Sequence, residues 1–228
     1  MNDRLLFGGA ALVMVAVFVV AVIVDERGKA PAERPAAPAP ATSPARPVSG
    51  ADPAVLARPG SPSQGRADAK VTLVEFLDPA CETCAQFYPE VKRMLAANPD
   101  RMRVVTRHVP FHPGSDAVVR MLEAARLQDK YWPALEALLG GQSQWVFQHN
   151  VQPDKALVVL GGAGLDVERI KVDMQRDDVR QRVAQDLADA KALRVLQTPE
   201  YFVNGRPMPT FGLDQLKRLV DDELRATL

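Results

Sequence analysis

Cysteine is almost missing from this chain: there are two in 228 residues, at positions 81 and 84. That excludes a fold stapled by disulfides, so the core must form by packing alone in either oxidation state of the two thiols. Neither cysteine lies near the N-terminus, which excludes acylation there. Net charge is missing too, with 28 Lys and Arg against 28 Asp and Glu, and no basic cluster interleaves with aromatic residues. Nucleic acid is therefore not an expected partner. Histidine is scarce, and the three residues do not form a metal motif. Pro110 separates His108 from His112, so the two do not share a helix face. The interval from Cys84 to His108 is also far longer than in compact zinc modules. No metal site is expected, and His149 receives no role.

What is present divides into three regions. Leu5 to Val24 is an uncharged apolar run. At about 1.5 Å per residue, such a run spans the hydrocarbon core of a bilayer as one helix. Asp25-Glu26-Arg27 follows it instead of a small-x-small cleavage site, so residues 1–29 read as an uncleaved signal anchor. The short N-terminal tail places the N-terminus inside and the C-terminus outside, although the Lys and Arg counts on the two sides do not support that orientation. Residues 30–66 are rich in alanine, serine and proline, with little to bury, and read as an extended spacer. Residues 67–228 are enough for one core.

Within 67–228, Val71 to Leu77 reads as a buried strand, and a helix follows from Cys81 to about Ala97. Met102 to Val109 reads as a second strand, parallel to the first by the crossover rule. From about Ser115 to Val195 the pattern is helical throughout. Val179, Val183, Leu187 and Ala190 form the apolar stripe of its last helix. Tyr201-Phe202-Val203, Asn204-Gly205 and Arg206 to Thr210 read as a hairpin with a type I′ turn. A terminal amphipathic helix through Leu213, Leu216, Leu219, Val220 and Leu224 closes the chain.

Cys81-Glu82-Thr83-Cys84 therefore stands where a strand delivers the chain to a helix N-terminus. The helix end favours the thiolate of Cys81, and Cys84 lies one turn away on the same face. Cys81 reads as the nucleophile, which attacks a disulfide through a mixed-disulfide intermediate. Cys84 reads as the residue that resolves it. Glu75, a carboxylate inside an apolar strand, needs a task or a partner to justify its burial.

The strand before C-x-x-C, the Thr198-Pro199 pair before a hairpin and the helical block together resemble the DsbA-like branch of the thioredoxin superfamily. The resemblance covers 67–228. It implies an α/β thioredoxin fold with an all-helical insertion at about 115–195, preceded here by one N-terminal transmembrane helix. It also implies that Glu75 carries the proton of Cys84. The Thr198-Pro199 bond would be cis, with Thr198 pairing an extended substrate beside Cys81, and Glu200, Tyr201 and residues 108–114 rimming that groove. The expected activity is a protein-disulfide oxidoreductase without a bound cofactor. It would be a single-pass protein of a bacterial inner membrane, held by the bilayer through residues 5–24, with its catalytic domain in the periplasm. Its partners would be cysteine-containing exported proteins and a membrane or periplasmic protein that recycles the pair.

Two matters stay open in the residues themselves. Cu(I) accepts two thiolates, so a copper metallochaperone is the alternative use of Cys81 and Cys84. The direction of exchange is also open. Glu82 and Asp78 place negative charge near Cys81, which predicts a raised pKa and a more reducing couple.

Overall fold

The computed structural model describes residues 51–227. The expected membrane helix at 5–24 and most of the expected spacer lie outside the described residues. Among the described residues, no helix is long and apolar enough to cross a membrane.

The centre is strand β2 (Val71–Leu77), in which every residue but Thr72 is buried. A strand covered on both faces reads as a continuous apolar run, and VTLVEFL does so apart from Glu75. Helix α2 (Glu82–Ala97) crosses over to β3 (Met102–His108). β3 lies parallel to β2, in register from Val71 opposite Met102 to Leu77 opposite His108. On the other side, β6 (Glu200–Val203) pairs antiparallel with β2, and β7 (Arg206–Pro207) completes a sheet of order β1-β3-β2-β6-β7, in which β1 is Ser63–Gly65. Asn204 and Gly205 both take positive φ, 48° and 83°, as a type I′ turn requires. Arg206 and Pro207 form the last strand and the Met208 N–H adds one bond to the Tyr201 carbonyl, short of the expected run to Thr210.

One expected boundary shifts. The last part of the expected spacer, 51–66, belongs to the folded domain. Asp52 caps a short helix, α1 (Pro53–Leu56), and β1 (Ser63–Gly65) pairs antiparallel with β3 as an edge strand. Leu56 is 1% exposed and packs with Phe76, Val105 and Phe202, so this segment belongs to the core despite its prolines. Gly65 is dictated by space: at φ 90° a Cβ would meet the Met102 carbonyl oxygen at 2.4 Å. Arg107, wholly buried, reinforces the attachment. It donates to the carbonyls of Val55 and Leu56 at 2.6 and 2.9 Å, and pairs with Asp186 and Asp189 at 2.7 and 2.5 Å.

The inserted block runs from α3 (Ser115–Arg126) through α4 (Tyr131–Gly140), α5 (Gln142–Trp145), α6 (Pro153–Gly162) and α7 (Val167–Asp173) to α8 (Asp177–Ala192). It is not helical throughout. A small hairpin of β4 (Val146–Phe147) and β5 (Asn150–Val151) interrupts it. Along α8, Val179, Val183 and Ala190 are buried as the periodicity predicts. Leu187 is not: it is 37% exposed, while Asp186 and Asp189 beside it turn inward to the buried Arg107. Helix α9 (Leu213–Ala226) and α2 cover one face of the sheet, while α8 and the 51–57 segment cover the other. The third cluster joins the helical block to Leu77, Cys81, Cys84 and Tyr88. The two cysteines thus sit at the seam between sheet and insertion.

Candidate active site

Cys81 is the N-cap of α2. Its Sγ accepts the Cys84 N–H at 3.4 Å, where a capping serine would place its hydroxyl. Cys81 is 6% exposed and Cys84 fully buried, so the first thiol is the one that can meet a partner. From across the site, the Thr198–Pro199 peptide bond is cis, and the Thr198 carbonyl accepts from the Cys81 thiol at 3.2 Å. The expected juxtaposition of Cys81, Cys84, Thr198 and Pro199 is what the fold produces.

Charge at the pair differs from the expectation. The Cys81 pKa is lowered to about 6. The hydrogen bond from the Cys84 thiol is the main cause; it prevails over burial and is aided by the Thr198 side chain and backbone N–H groups of the first turn. The anticipated rise from Asp78 does not occur, because that carboxylate is fully buried and committed elsewhere. Oδ1 accepts the Ala80 N–H at 2.9 Å and the Ser115 hydroxyl. Oδ2 accepts the N–H groups of Phe111 and His112 at 2.8 and 2.9 Å, with the His112 Nδ1 also 2.8 Å away. Asp78 ties the C-x-x-C turn to the 111–115 loop. Glu82 is largely solvated, 3.7 Å from His149 Nδ1. Burial raises Cys84 well above the usual thiol range, and its bond to Cys81 and the nearby Glu75 charge add to the effect.

Glu75 lies on the sheet face covered by α2. It is 1% exposed and directly opposite Tyr201, whose hydroxyl donates to Oε1 at 2.9 Å. Burial pushes its pKa up to about 7, which the Tyr201 bond only partly offsets. A carboxyl that is half ionised at neutral pH and electrostatically coupled to Cys84 suits proton exchange with that thiol. Tyr201 is therefore a buried partner of Glu75, not a rim residue, and Glu200 is buried as well.

Gln142 carries no signal in the sequence. From the insertion it donates both amide hydrogens, at 2.7 Å to the Pro79 carbonyl and 2.9 Å to that of Cys81. His108, at the end of β3, is fully buried. It contacts the Tyr131 hydroxyl at 2.9 Å, and burial drives its pKa down to about 3, leaving it neutral. It packs in the interior, away from His112, so the two histidines do not converge on the thiols.

The family described as Thioredoxin matches residues 57–222, nearly the whole of this architecture. The chain belongs to this thioredoxin family. Among solved structures, a thioredoxin-like oxidoreductase from Silicibacter pomeroyi DSS-3 is 31% identical, with a TM-score of 0.67, over 77% of this chain and 99% of that one. BdbD from Bacillus subtilis (24%, TM-score 0.64; 73% of this chain, 94% of that) and DsbA from Xylella fastidiosa (23%, 0.61; 72% and 91%) share the fold. The Na(+)/H(+) antiporter NhaA of Herminiimonas arsenicoxydans is 35% identical over 158 residues, 68% of this chain and 24% of that protein. The chain spans about a quarter of the length of such curated relatives.

Proposed function

We propose that this chain is a membrane-tethered thiol–disulfide oxidoreductase acting on exported proteins outside the cytoplasm, with Cys81 as nucleophile and Cys84 as resolving thiol. One observation carries the reading: a slightly exposed, helix-capping thiol held near pKa 6 stands beside a fully buried thiol held far above it. Two cysteines with one environment would suit a metal chelate or a packing role; this asymmetry suits ordered attack and resolution.

Reduced Cys81 attacks one sulfur of a substrate disulfide and forms a mixed disulfide, and the other substrate sulfur leaves as a thiolate. Glu75 takes the proton of Cys84, whose sulfur then displaces the second substrate thiolate and leaves Cys81–Cys84 oxidised. The reverse sequence oxidises a substrate dithiol. Thr198 and Pro199 present the backbone edge along which the substrate lies. A separate redox protein restores the pair. A Cys81 thiolate that forms at neutral pH stabilises the reduced protein by about 1.4 kcal/mol at pH 7, making the couple roughly 30 mV more oxidising than an un-ionised pair. The balance therefore tilts toward oxidation of substrates, opposite to the charge argument from Glu82 and Asp78. The signal anchor at 5–24 supplies the tether.

Incubating the Cys84→Ser protein with a disulfide-bearing substrate tests this reading. Exchange predicts a covalent mixed disulfide at Cys81 that reductant releases. A copper carrier predicts stoichiometric tight Cu(I) on the wild-type chain and no covalent adduct.

A further inference from the structure

Glu75 stands at the inner end of a column of aromatic rings. Glu75 is 1% exposed, Tyr201 not at all, Phe87 8% and Phe211 46%, so the four run outward from the interior to the surface. The Tyr201 hydroxyl donates to Glu75 Oε1 at 2.9 Å. Phe87 stacks on the Tyr201 ring with centroids 6.0 Å apart and planes at 15°, and Phe211 stacks on Phe87 at 5.4 Å and 24°. Both pairs lie within the offset-stacked range of about 4.5–7 Å.

Each ring comes from a different element. Tyr201 is on β6, directly opposite Glu75. Phe87 is on α2, three residues beyond Cys84, and so on the helix that carries the second thiol. Phe211 precedes α9 in a loop that hangs from Tyr201 itself, since the Met208 N–H donates to the Tyr201 carbonyl at 3.0 Å. The column thus joins the hydrogen bond on the carboxyl to the helix of the thiol beside it. Tyr201 occupies Oε1. Among the described residues Oε2 accepts no hydrogen bond, which leaves that oxygen to meet the Cys84 proton.

We infer that Phe87 and Phe211 are positioning residues for resolution at Cys84: acting through Tyr201, they fix the Glu75 carboxyl with Oε2 free and keep water from it. The inference rests on the exchange reading above, with Glu75 as the base. Loss of the outer ring hydrates the carboxyl and returns it toward an ordinary acid. Loss of the Tyr201 hydroxyl alone keeps it dry and removes a bond that favours its charged form. The two changes therefore move Glu75 in opposite directions.

The test uses the full-length reduced chain in detergent, mixed in a stopped-flow with one equivalent of dithiobis(nitrobenzoate) across a range of pH. The chain has only two cysteines, so two releases of coloured thionitrobenzoate report the two steps. The first is attack: the Cys81 thiolate bonds to one sulfur of the reagent, and one thionitrobenzoate leaves. The second is resolution: the Cys84 proton passes to Glu75, the Cys84 sulfur bonds to that of Cys81, and the other thionitrobenzoate leaves. In the parent protein the second rate should rise with pH through an inflection near 7, where Glu75 ionises. Phe211→Ala should lower that inflection by about one unit and slow the plateau above it about threefold, because a more acidic carboxyl is a weaker base. The first rate should not change. Phe211→Tyr, which keeps the ring, should restore both values. Tyr201→Phe should raise the inflection by about half a unit to one unit.

An unmoved inflection in Phe211→Ala would overturn the inference. So would equal slowing of both releases, which marks a packing role, or a downward shift in Tyr201→Phe. Glu75→Gln separates this inference from the reading beneath it. If the inflection survives that substitution, or the parent protein releases no thionitrobenzoate, the exchange reading with Glu75 as its base fails and the inference falls with it. If the inflection vanishes there but stands unmoved in Phe211→Ala, only the inference falls.

Discussion

The ionisation of Cys81 offers a prediction with a number attached. Its pKa is lowered from 9.0 to about 6, chiefly by the Cys84 thiol. At pH 7 that makes about nine-tenths of Cys81 thiolate, against about one-hundredth for an unperturbed thiol. Intrinsic nucleophilicity falls with pKa, at a Brønsted slope near 0.45, by about twentyfold over three units, so the net gain in attack rate at pH 7 is roughly fourfold. Removing the donor by Cys84→Ala deletes a hydrogen bond to a charged acceptor, worth about 1.5–3 kcal/mol, or about one to two pKa units. The backbone N–H at position 84 remains. Cys84→Ser keeps a side-chain donor and should hold the pKa within about half a unit of the original. The assay is the pH dependence of iodoacetamide alkylation, read with thiolate absorbance at 240 nm. The expected midpoints are near 6 for Cys84→Ser and between about 7 and 8 for Cys84→Ala. A Cys84→Ala midpoint still near 6 would refute the hydrogen-bond cause, and a midpoint near 9 in both would refute the lowered pKa altogether.

Other expectations follow from the same contacts. Glu75→Gln should slow resolution at Cys84 by about tenfold or more at pH 7, with attack by Cys81 little changed, as rapid-quench alkylation would show. The same substitution should alter stability against pH. Glu75 has its pKa raised from 4.5 to about 7, so its contribution is fully present below pH 4.5 and is lost as pH rises through 7, about 3 kcal/mol in all; urea midpoints for Glu75→Gln should lack that decline. Gln142→Ala leaves two buried carbonyls with one partner fewer each and should cost about 1–3 kcal/mol in denaturant unfolding, with a shift in the Cys81 alkylation midpoint. Arg107→Ala removes the ion-pair partner of Asp186 and one of the two arginines paired with Asp189, and should cost about 3–5 kcal/mol, seen as a large fall in Tm.

Much of this site can be read from the residues because its parts are local. C-x-x-C after a strand, Thr-Pro before a hairpin and a carboxylate in an apolar strand each announce themselves within a few positions. What escapes is what acts across distance in the chain. Gln142 reaches the Cys81 turn from 61 residues away, and Tyr201 meets Glu75 across 126. Neither residue type is unusual where it stands. Asp78 was visible as a charge, but its donors come from the 111–115 loop, and it is the Cys84 thiol that reverses the expectation for Cys81. The N-terminal boundary was hidden by composition: seven-residue β2 declares itself, whereas Ser63-Gln64-Gly65 is short, polar and preceded by prolines. Only its pairing with β3, and Leu56 beneath, make it part of the domain.

The central claim is disulfide exchange at Cys81 and Cys84, and a redox titration of the full-length chain in glutathione buffers tests it most directly. Acid quenching and thiol alkylation would count the reduced cysteines at each potential. The account predicts a single two-electron transition between fully reduced and Cys81–Cys84 disulfide forms, with a midpoint between about −270 and −120 mV at pH 7. Thiols that never pair across that range, or that oxidise only between chains, would contradict it.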